Sequence, residues 1–421
     1  MAGVRLSIGE KLDLVRRFLF VCKSHSSSSI ARSRHTHTSS VPFTAITYIL
    51  STFPRARRTK AFASRKHFFQ NVFFRVALIA LAPRQLQTIL PSTAKQYDMW
   101  LAEKRRKLES SSDASSAVIK KHLQPRADRL PNDDEGQVLW LGNPDTASKF
   151  VLLLHGGGFI VPINPGHLDW CYQAYFLPYA TAGVGGTPDV AVAVLQYTLT
   201  PGASYPTQLR QSCQALAIIL DKYLAPRNIS PSKSLLIGGD SAGGNLAALV
   251  VRHLIQPHPG IDPVKLPQGE ALAGVFLTSP FVDTNVDTRS FKDNNSFDMI
   301  SDALINMAVD MMIRDRSDLP DLTVHEIKAL AAPLQGDMSS WLGQVDSVVK
   351  SLYVTVGGQE VFKDQVVGFV DKLKKHCPAV ELRFEYMERE VHDYILIEGG
   401  SQQFGDATQR MKNWTAEALG L

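Results

Sequence analysis

From about residue 117 onward, apolar runs alternate along the chain with segments of helical periodicity. Short runs rich in β-branched and aliphatic residues predict strands: SAVIKKHL, GQVLWLG, KFVLLLHGGG, DVAVAVLQY, SLLIGG, ALAGVFLTS, SLYVTVGG and VELRFEYM. Between them, stretches such as NLAALVVRHLI and DQVVGFVDKLKKH repeat apolar residues with a helical period, and a last helix is expected over about 402–419. Apolar strands that alternate with helices predict an α/β fold, with a mostly parallel sheet covered on both faces.

One long interval interrupts this alternation. About 70 residues, roughly 281–350, separate the strands ALAGVFLTS and SLYVTVGG, and they are rich in Asp, Asn and Met. Connections within compact domains are usually far shorter. We interpret the interval as a cap inserted over the C-terminal edge of the sheet, inside a catalytic domain that covers 98–421.

The first 97 residues have a different charge from the rest. Between Leu14 and Tyr97 there are 14 Lys and Arg and no Asp or Glu, so this arm is the source of the positive net charge of +5. The stretch SHSSSSIARSRHTHTSS predicts partial disorder in the arm. The stretch HFFQNVFFRVALIAL sets bulky apolar side chains beside Arg75, and it could contact the cap or a membrane surface.

Several classes of protein are disfavoured. The apolar runs are too short or too interrupted to span a membrane, and no convincing signal peptide is present. The expected location is therefore intracellular, either cytoplasmic or membrane-peripheral. No nucleic-acid-binding motif is found, and the four cysteines lack the spacing of a metal site. We predict neither a nucleic-acid partner nor a metal.

A glycine-rich turn around Ser241 carries the first chemical signal. The sequence GDSAG over 239–243 fits the pattern G-x-S-x-G and lies between a predicted strand and a predicted helix. A nucleophilic serine needs such a sharp turn, and the helix that follows directs its N-terminal amides at a developing negative charge. An anion-binding turn is the alternative, although no dinucleotide or P-loop pattern is present.

Three consecutive glycines, Gly156, Gly157 and Gly158, end an earlier strand. Glycines allow backbone N–H groups to approach a substrate carbonyl closely. Together with the amide of Ala242 they predict an oxyanion hole. An ordinary strand-ending turn would not need three glycines in a row.

HGGGF and GDSAGGN together resemble the hormone-sensitive-lipase-like branch of the α/β-hydrolases, which includes carboxylesterases, arylacetamide deacetylases and fungal steryl-acetyl hydrolases. The resemblance extends over about 117–421. It includes YTLTPGASYP, in which Thr198 and Gly202 depart from the usual Arg and Glu, and the cap segment SFKDNNSFDMIS.

The resemblance implies a catalytic triad in the order Ser, acid, His. His392 follows the last strand and is the predicted base, whereas His376 ends a lysine-rich helix. Glu360 matches the family's catalytic acid, and Asp364 is the alternative if the loop is displaced. Asp240, beside the nucleophile, is expected to shape the turn.

The predicted activity is hydrolysis of the carboxylic ester of a small or medium lipophilic molecule through an acyl-enzyme, for example deacetylation of a sterol or of a fungal natural product. No cofactor is implied. Two alternatives use the same fold. One is acyl transfer by the same triad, and the other is a ligand-binding receptor without catalysis, against which the presence of His392 argues.

Overall fold

The computed structural model describes residues 41–59, 61–62, 65–133, 135–180, 189–336 and 338–421. In this part of the chain eight strands form one sheet in the order β1-β2-β4-β3-β5-β6-β7-β8. The strands are β1 (Ala127–Arg129), β2 (Gln137–Leu141), β3 (Lys149–Leu154), β4 (Val190–Gln196), β5 (Leu235–Asp240), β6 (Leu272–Thr278), β7 (Val349–Gly357) and β8 (Glu381–Met387). Strands β3 to β8 are parallel, while β1 and β2 are antiparallel to their neighbours.

Helices precede the sheet and connect its strands. Ahead of β1 lie α1 (Val41–Thr59), α2 (Arg65–Ala80), α3 (Pro83–Ile89), α4 (Thr93–Glu109) and α5 (Ala114–His122). Within the sheet region lie α6 (Pro165–Cys171), α7 (Thr207–Ile218), α8 (Pro231–Ser234) and α9 (Ser241–Ile255). Between β6 and β7 come α10 (Arg289–Asn294), α11 (Asp302–Met312), α12 (Val324–Ala331) and α13 (Ser339–Leu342), and the chain continues with α14 (Lys363–His376), α15 (Tyr394–Ser401) and α16 (Asp406–Leu419). None of the described helices is long and apolar enough to cross a membrane.

The two faces of the sheet belong to two separate hydrophobic cores. Along β5, Leu235 and Ile237 enter one core and Leu236 enters the other. This alternation explains why the strand is apolar throughout, because neither of its faces meets water. Burying each such side chain contributes roughly 1.5–3 kcal/mol. The predicted α/β fold, with helices on both faces of a mostly parallel sheet, is confirmed.

The stretch SAVIKKHL does not form the predicted strand. It lies in helix α5, where the side chain of Asp113 caps the N-terminus by accepting from the Ser115 amide. Ile119 and Leu123, four residues apart, are both buried. The prediction was wrong because a short apolar run is ambiguous, and here the cap and the helical spacing decide.

The basic arm is mainly helical where the structure describes it, and the boundary at residue 97 falls inside α4, whose N-terminus is capped by Ser92. The stretch SHSSSSIARSRHTHTSS lies outside the described residues, so the predicted disorder stays a prediction. The interval expected to form a cap contains the four helices α10 to α13.

Candidate active site

Ser241 stands on the turn between β5 and α9, in a left-handed backbone conformation with φ +50°. Non-glycine residues adopt this conformation rarely, and it costs of the order of 1–3 kcal/mol. The two flanking glycines make the turn possible. A Cβ atom on Gly239 would lie 2.0 Å from the carbonyl oxygen of Leu154, and one on Gly243 only 1.8 Å from the same oxygen. Glycine is therefore required at both positions.

His392 lies within hydrogen-bonding distance of Ser241. Its Nε2 is 2.9 Å from Ser241 Oγ, and both residues are buried. His392 occupies the loop between β8 and α15, and the ring of Phe362 meets the imidazole edge-on, with the ring centres 5.1 Å apart. The structure thus brings together the predicted nucleophile and the predicted base, 151 residues apart in sequence.

Glu360 lies on the other side of the imidazole. Its Oε2 is 3.8 Å from His392 Nδ1, which is longer than a hydrogen bond, and accepts from Ser279 Oγ at 2.7 Å. Catalytic hydrogen bonds are often long before substrate binds. Asp364 instead accepts from the backbone N–H of Ser290 at 2.7 Å. Of the two candidate acids, Glu360 is the one beside His392.

A third carboxylate, Asp298, connects the loops that carry Glu360 and His392. Its Oδ2 accepts from the Val361 amide at 2.9 Å, and its Oδ1 accepts from the His392 amide at 3.2 Å. Burial raises the pKa of Asp298 to about 6, while the nearby charge of His392 acts in the opposite direction. Asp298 was not predicted as a site residue, although it belongs to the cap segment SFKDNNSFDMIS that carried part of the family resemblance.

Two other polar residues of that cap segment bind the same loop. Ser290 Oγ donates to the carbonyl of Val361 at 2.6 Å, and Asn294 Nδ2 donates to the carbonyl of Glu360 at 2.8 Å. The cap segment therefore holds the backbone of Glu360 and Val361 in place. These contacts give a physical reason for the spacing of Ser, Asn and Asp in the motif.

The N-terminal helices hold the cap segment in turn. From α2, the buried guanidinium of Arg75 donates to the carbonyls of Asn295, Asp298 and Ile300 at 2.7–2.9 Å. From α1, the hydroxyl of Tyr48 donates to the carbonyl of Phe297. The basic arm thus contacts the cap, and its buried basic residue is used to bind backbone oxygens.

Asp240, which was expected to shape the turn, makes no side-chain hydrogen bond within it and binds two other parts of the chain. Its Oδ1 accepts from the Gly156 amide at 3.0 Å, and its Oδ2 lies 3.0 Å from His167 Nε2. Burial acts to raise the pKa of Asp240, but the charge of His167 and its hydrogen bond outweigh burial and lower it. The partner imidazole has a raised pKa for the reciprocal reason.

The hydrogen bond between Gly156 and Asp240 removes one donor from the predicted oxyanion hole. The N–H of Gly156 is occupied by Asp240, so it is not available to a substrate, and including it among the donors was wrong. Gly157 and Gly158 have φ values of +104° and +61°. Within the described part of the chain, no acceptor is found for their N–H groups, and the Ala242 amide lies in the first turn of α9, where no helical partner exists. The role of these three amides stays a prediction.

An apolar cluster lies beside the glycine loop. Its buried residues come from three elements: Leu86 of α3, Ile160 of the loop after the glycines, and Ala308 of α11. Partly buried side chains surround them: Ala77, Leu78, Leu81, Leu90, Val161, Met307 and Met311. We call these ten residues the loop cluster. It joins the N-terminal helices and the cap next to the predicted oxyanion hole.

A profile of proteins with the alpha/beta hydrolase fold matches residues 151–396, more than half of the chain. The chain belongs to this family. The matched region of this α/β-hydrolase contains Ser241, Glu360 and His392, although the match itself does not assign their roles.

Curated relatives fit the predicted branch. Lipase 2 of Moraxella sp. is 33% identical over 27% of this chain and 23% of its own length. Ethyl acetate hydrolase of Pseudomonas putida is 28% identical over 41% of the chain and 51% of its own length. Rabbit (Oryctolagus cuniculus) arylacetamide deacetylase is 27% identical over 41% of the chain and 40% of its own length. The chain therefore aligns with about a quarter to a half of the length of these relatives.

Solved structures share the fold. Carboxyl esterase 2 of the fungus Tuber melanosporum has a TM-score of 0.54 at 18% identity, covering 70% of this chain and 86% of its own. An esterase of the bacterial hormone-sensitive lipase family has a TM-score of 0.53 at 17% identity, covering 85% of this chain and 99% of its own. At such low identity these likenesses support the fold alone.

Proposed function

We propose that this α/β-hydrolase is a serine esterase that cleaves carboxylic esters of small or medium lipophilic molecules. The observation that carries the proposal is the 2.9 Å contact between His392 Nε2 and the Oγ of Ser241 on its strained turn. The names of the relatives, which include esterases, a lipase and deacetylases, support the same reaction class.

In the proposed acylation step, His392 Nε2 takes the proton of Ser241 as Oγ attacks the ester carbonyl carbon. The carbonyl oxygen becomes an oxyanion, which accepts hydrogen bonds from the amides of Gly157, Gly158 and Ala242. Each such donor contributes about 3–4 kcal/mol to the stability of the transition state. The tetrahedral intermediate then expels the alcohol, which takes its proton from Nε2.

Deacylation repeats these roles with water as the nucleophile. His392 Nε2 removes a proton from water, the hydroxide oxygen attacks the acyl carbon, and Ser241 Oγ leaves and regains its proton. Glu360 lies on the Nδ1 side of the ring, where a carboxylate holds the tautomer that leaves Nε2 unprotonated and stabilises the imidazolium.

The loop cluster supports a lipophilic substrate. Ile160 and Val161 of the cluster follow the glycines closely, and leucine and methionine side chains pack with them. An apolar acyl or alcohol group bound against this cluster would have apolar contacts near the reacting carbonyl. Acetylated sterols and acetylated fungal natural products are the substrate classes that we propose to test first.

Hydrolysis of a series of p-nitrophenyl esters of increasing acyl length tests the proposal. We expect turnover by the wild-type protein and a loss of at least about 10⁴-fold in kcat for Ser241→Ala. Turnover that survives in Ser241→Ala would contradict the proposal. Formation of a new ester when an alcohol is added would identify acyl transfer, and ester binding without turnover or Ser241 acylation would identify a receptor.

We also propose that the N-terminal helices contact a membrane surface peripherally. Leu50 on α1 and Phe69 and Phe73 on α2 are 72%, 54% and 67% exposed. Phe69 and Phe73 share one helix face, because they are four residues apart. Half of the large exposed apolar side chains in the described chain belong to α1 and α2, and such a concentration is typical of an interfacial surface.

The positive charge of these two helices supports a membrane with anionic lipids as the partner. Arg57, Arg58 and Arg65 are exposed on the same two helices, and no acidic residue occurs between Leu14 and Tyr97. Each basic residue near an anionic lipid surface contributes about 1 kcal/mol to binding. The helices that hold the cap segment on one side would then face lipid on the other.

Co-sedimentation with phosphatidylcholine vesicles, with and without phosphatidylserine, tests this contact. We expect phosphatidylserine-dependent binding that weakens about tenfold or more in Phe69→Ser/Phe73→Ser. Val324→Ser/Tyr386→Ser, which removes two exposed apolar side chains elsewhere, is the matched control. Equal binding by both double variants would contradict the proposal, as would a concentration-dependent dimer that forms through this face.

A further inference from the structure

The residue after His392 places another carboxylate against the nitrogen that faces Ser241. Asp393 Oδ2 lies 3.2 Å from His392 Nε2, and Ser241 Oγ lies 2.9 Å from the same nitrogen. Asp393 is buried, and its Oδ1 has no hydrogen-bond partner among the described residues. The triad mechanism gives this carboxylate no role, although it is closer to the imidazole than Glu360 is.

Backbone conformation explains only part of the choice of residue. Asp393 has a left-handed backbone with φ +51°, and its N–H donates to Ser279 Oγ at 3.3 Å. Asp tolerates this conformation better than most residues, but Asn does so as well and Gly does so best. Neither alternative would bury a carboxylate, so the carboxylate itself needs an explanation.

Close to His392, buried carboxylates outnumber basic groups. The other titratable groups that face the pair or interact with it are Glu360, Asp298, Asp240 and His167. The cations Arg55 and Arg75 reach this group only on the side of Asp298. Asp240 is paired with His167, and the two arginines act on Asp298, so His392 alone faces the two remaining carboxylates, Asp393 and Glu360. One imidazolium cannot neutralise both, so a carboxylate beside it must hold its proton more firmly than usual.

The direction of the individual shifts agrees with this imbalance. Burial raises the pKa of Asp393 to about 7, although the charge of His392 acts to lower it. Burial also acts to lower the pKa of His392, but the carboxylates of Asp393 and Glu360 outweigh burial and raise it.

We propose that Asp393 is a second carboxylate that supports His392. It accepts a hydrogen bond from Nε2–H once His392 has taken the proton of Ser241. This inference rests on the proposed esterase function. Asp393 does not take the proton. The proton passes from Ser241 Oγ to Nε2 and from Nε2 to the leaving oxygen, while the Asp393 carboxylate stabilises the imidazolium between the two transfers. Asp393 acts through His392 and is a positioning residue.

The proposal predicts two linked effects of removing the charge. Without the Asp393 carboxylate, the pKa of His392 falls, so neutral imidazole is present at lower pH and the acid limb of kcat/KM moves to lower pH. The imidazolium formed during catalysis is also less stable, so kcat at the plateau falls. Both effects come from one charge-assisted hydrogen bond, and we expect a limb shift of about one pH unit with a loss of about tenfold in kcat.

The experiment compares the wild-type protein with Asp393→Asn, which keeps the size of the side chain and its tolerance of the left-handed backbone. Two pH profiles are measured, kcat/KM for p-nitrophenyl acetate and the rate of labelling of Ser241 by a fluorophosphonate. Glu388→Gln, which removes an exposed carboxylate from the same loop, is the matched control, with the wild-type profile expected. If Asp393→Asn does not fold, Asp393→Gly is measured, with the same direction of change expected.

If Asp393→Asn has the same acid limb of kcat/KM and the same plateau of kcat as the wild-type protein, the proposal is overturned, and Asp393 has a role in the backbone turn alone. A limb that moves to higher pH would overturn it as well. Failure of the wild-type protein to label at Ser241 at any pH is a different result, because it would overturn the proposed esterase function and this inference with it.

Discussion

The two halves of the candidate site are held in place by different physical means. The turn that carries Ser241 depends on the absence of side chains at Gly239 and Gly243, because a Cβ atom at either position would overlap the carbonyl oxygen of Leu154. Glu360 and His392 depend on hydrogen bonds, which reach their loops from a cap segment far away in sequence. The first half is local and rigid. The second is assembled from three separate parts of the chain.

This difference determines how each half should respond to mutation. A steric requirement allows no substitution, since any side chain would overlap the backbone. A hydrogen-bonded support loses its bonds one at a time, so activity should decline in steps while the fold survives. Four predictions follow this contrast, from the most to the least severe.

Gly243→Ala should have the largest effect. Its Cβ would lie 1.8 Å from the carbonyl oxygen of Leu154, so either the turn or the sheet must move. We expect a loss of more than about 4 kcal/mol in the free energy of unfolding, measured by urea denaturation, together with loss of esterase activity. Gly368→Ala on α14 is the control, because a Cβ there meets nothing within 4 Å and should stabilise the helix by about 0.5–1 kcal/mol. Equal stability of the two variants would contradict the steric account.

Asp298→Asn should come next. The amide that replaces the carboxylate keeps one acceptor oxygen, so either Val361 or His392 loses its acceptor and the two loops separate slightly. We expect kcat to fall roughly 10- to 100-fold with little change in KM, because small misplacements of reacting groups cost about that much. The exposed Asp321→Asn is the control. A change in KM alone would show that Asp298 does not position the catalytic loops.

Arg75→Met should have a milder effect, since it removes three hydrogen bonds one step further from the chemistry. We expect a loss of about 1–3 kcal/mol in the free energy of unfolding, because buried carbonyls lose their donor. A decrease of a few-fold in kcat should accompany it. Arg84→Met, at an exposed position on α3, should change neither quantity. If Arg75→Met keeps the wild-type kcat, the N-terminal helices do not contribute to catalysis.

The mildest perturbation is a change of pH. In the folded protein Asp298 has a pKa of about 6, above the ordinary value of 3.8, so between these values the folded state binds more protons than the unfolded state. Stability due to this group therefore decreases as pH rises from about 4 to about 6. The difference in free energy of unfolding between the wild-type protein and Asp298→Asn should decrease over this window and level off above it. A difference that grows with pH would contradict the raised pKa.

The same contrast explains what could be predicted from the sequence. Seven of the eight predicted strands and the turn at Ser241 follow from local patterns, since apolar runs and glycine spacing report directly on buried strands and tight turns. The prediction of His392 came from the order of triad residues that the family resemblance implies. Asp393 and Ser279 were missed, because nothing local marks an acid or a hydroxyl that folding brings to a distant loop. Asp298 lies in the cap segment that was recognised, but the segment alone does not show which loops its carboxylate binds.

Gly156 shows what the motif of three glycines cannot predict. Its presence in the glycine loop predicted an oxyanion donor, but the structure uses its N–H for the Asp240 carboxylate, and a Cβ there would lie 2.1 Å from Asp240 Oδ2. The glycine is required for close packing, and the pattern alone does not distinguish that requirement from a catalytic one. Helix α5 was missed for a related reason, since an eight-residue stretch with four apolar residues fits either periodicity.

The most direct test of the account is the rate at which a fluorophosphonate labels Ser241, located by mass spectrometry of the labelled peptide. We expect stoichiometric labelling of Ser241 in the wild-type protein and no labelling in Ser241→Ala. We also expect labelling at least about 10³-fold slower in His392→Ala, because the proposed base that activates the hydroxyl is gone. Labelling of another residue, or labelling of Ser241 at the same rate without His392, would contradict it.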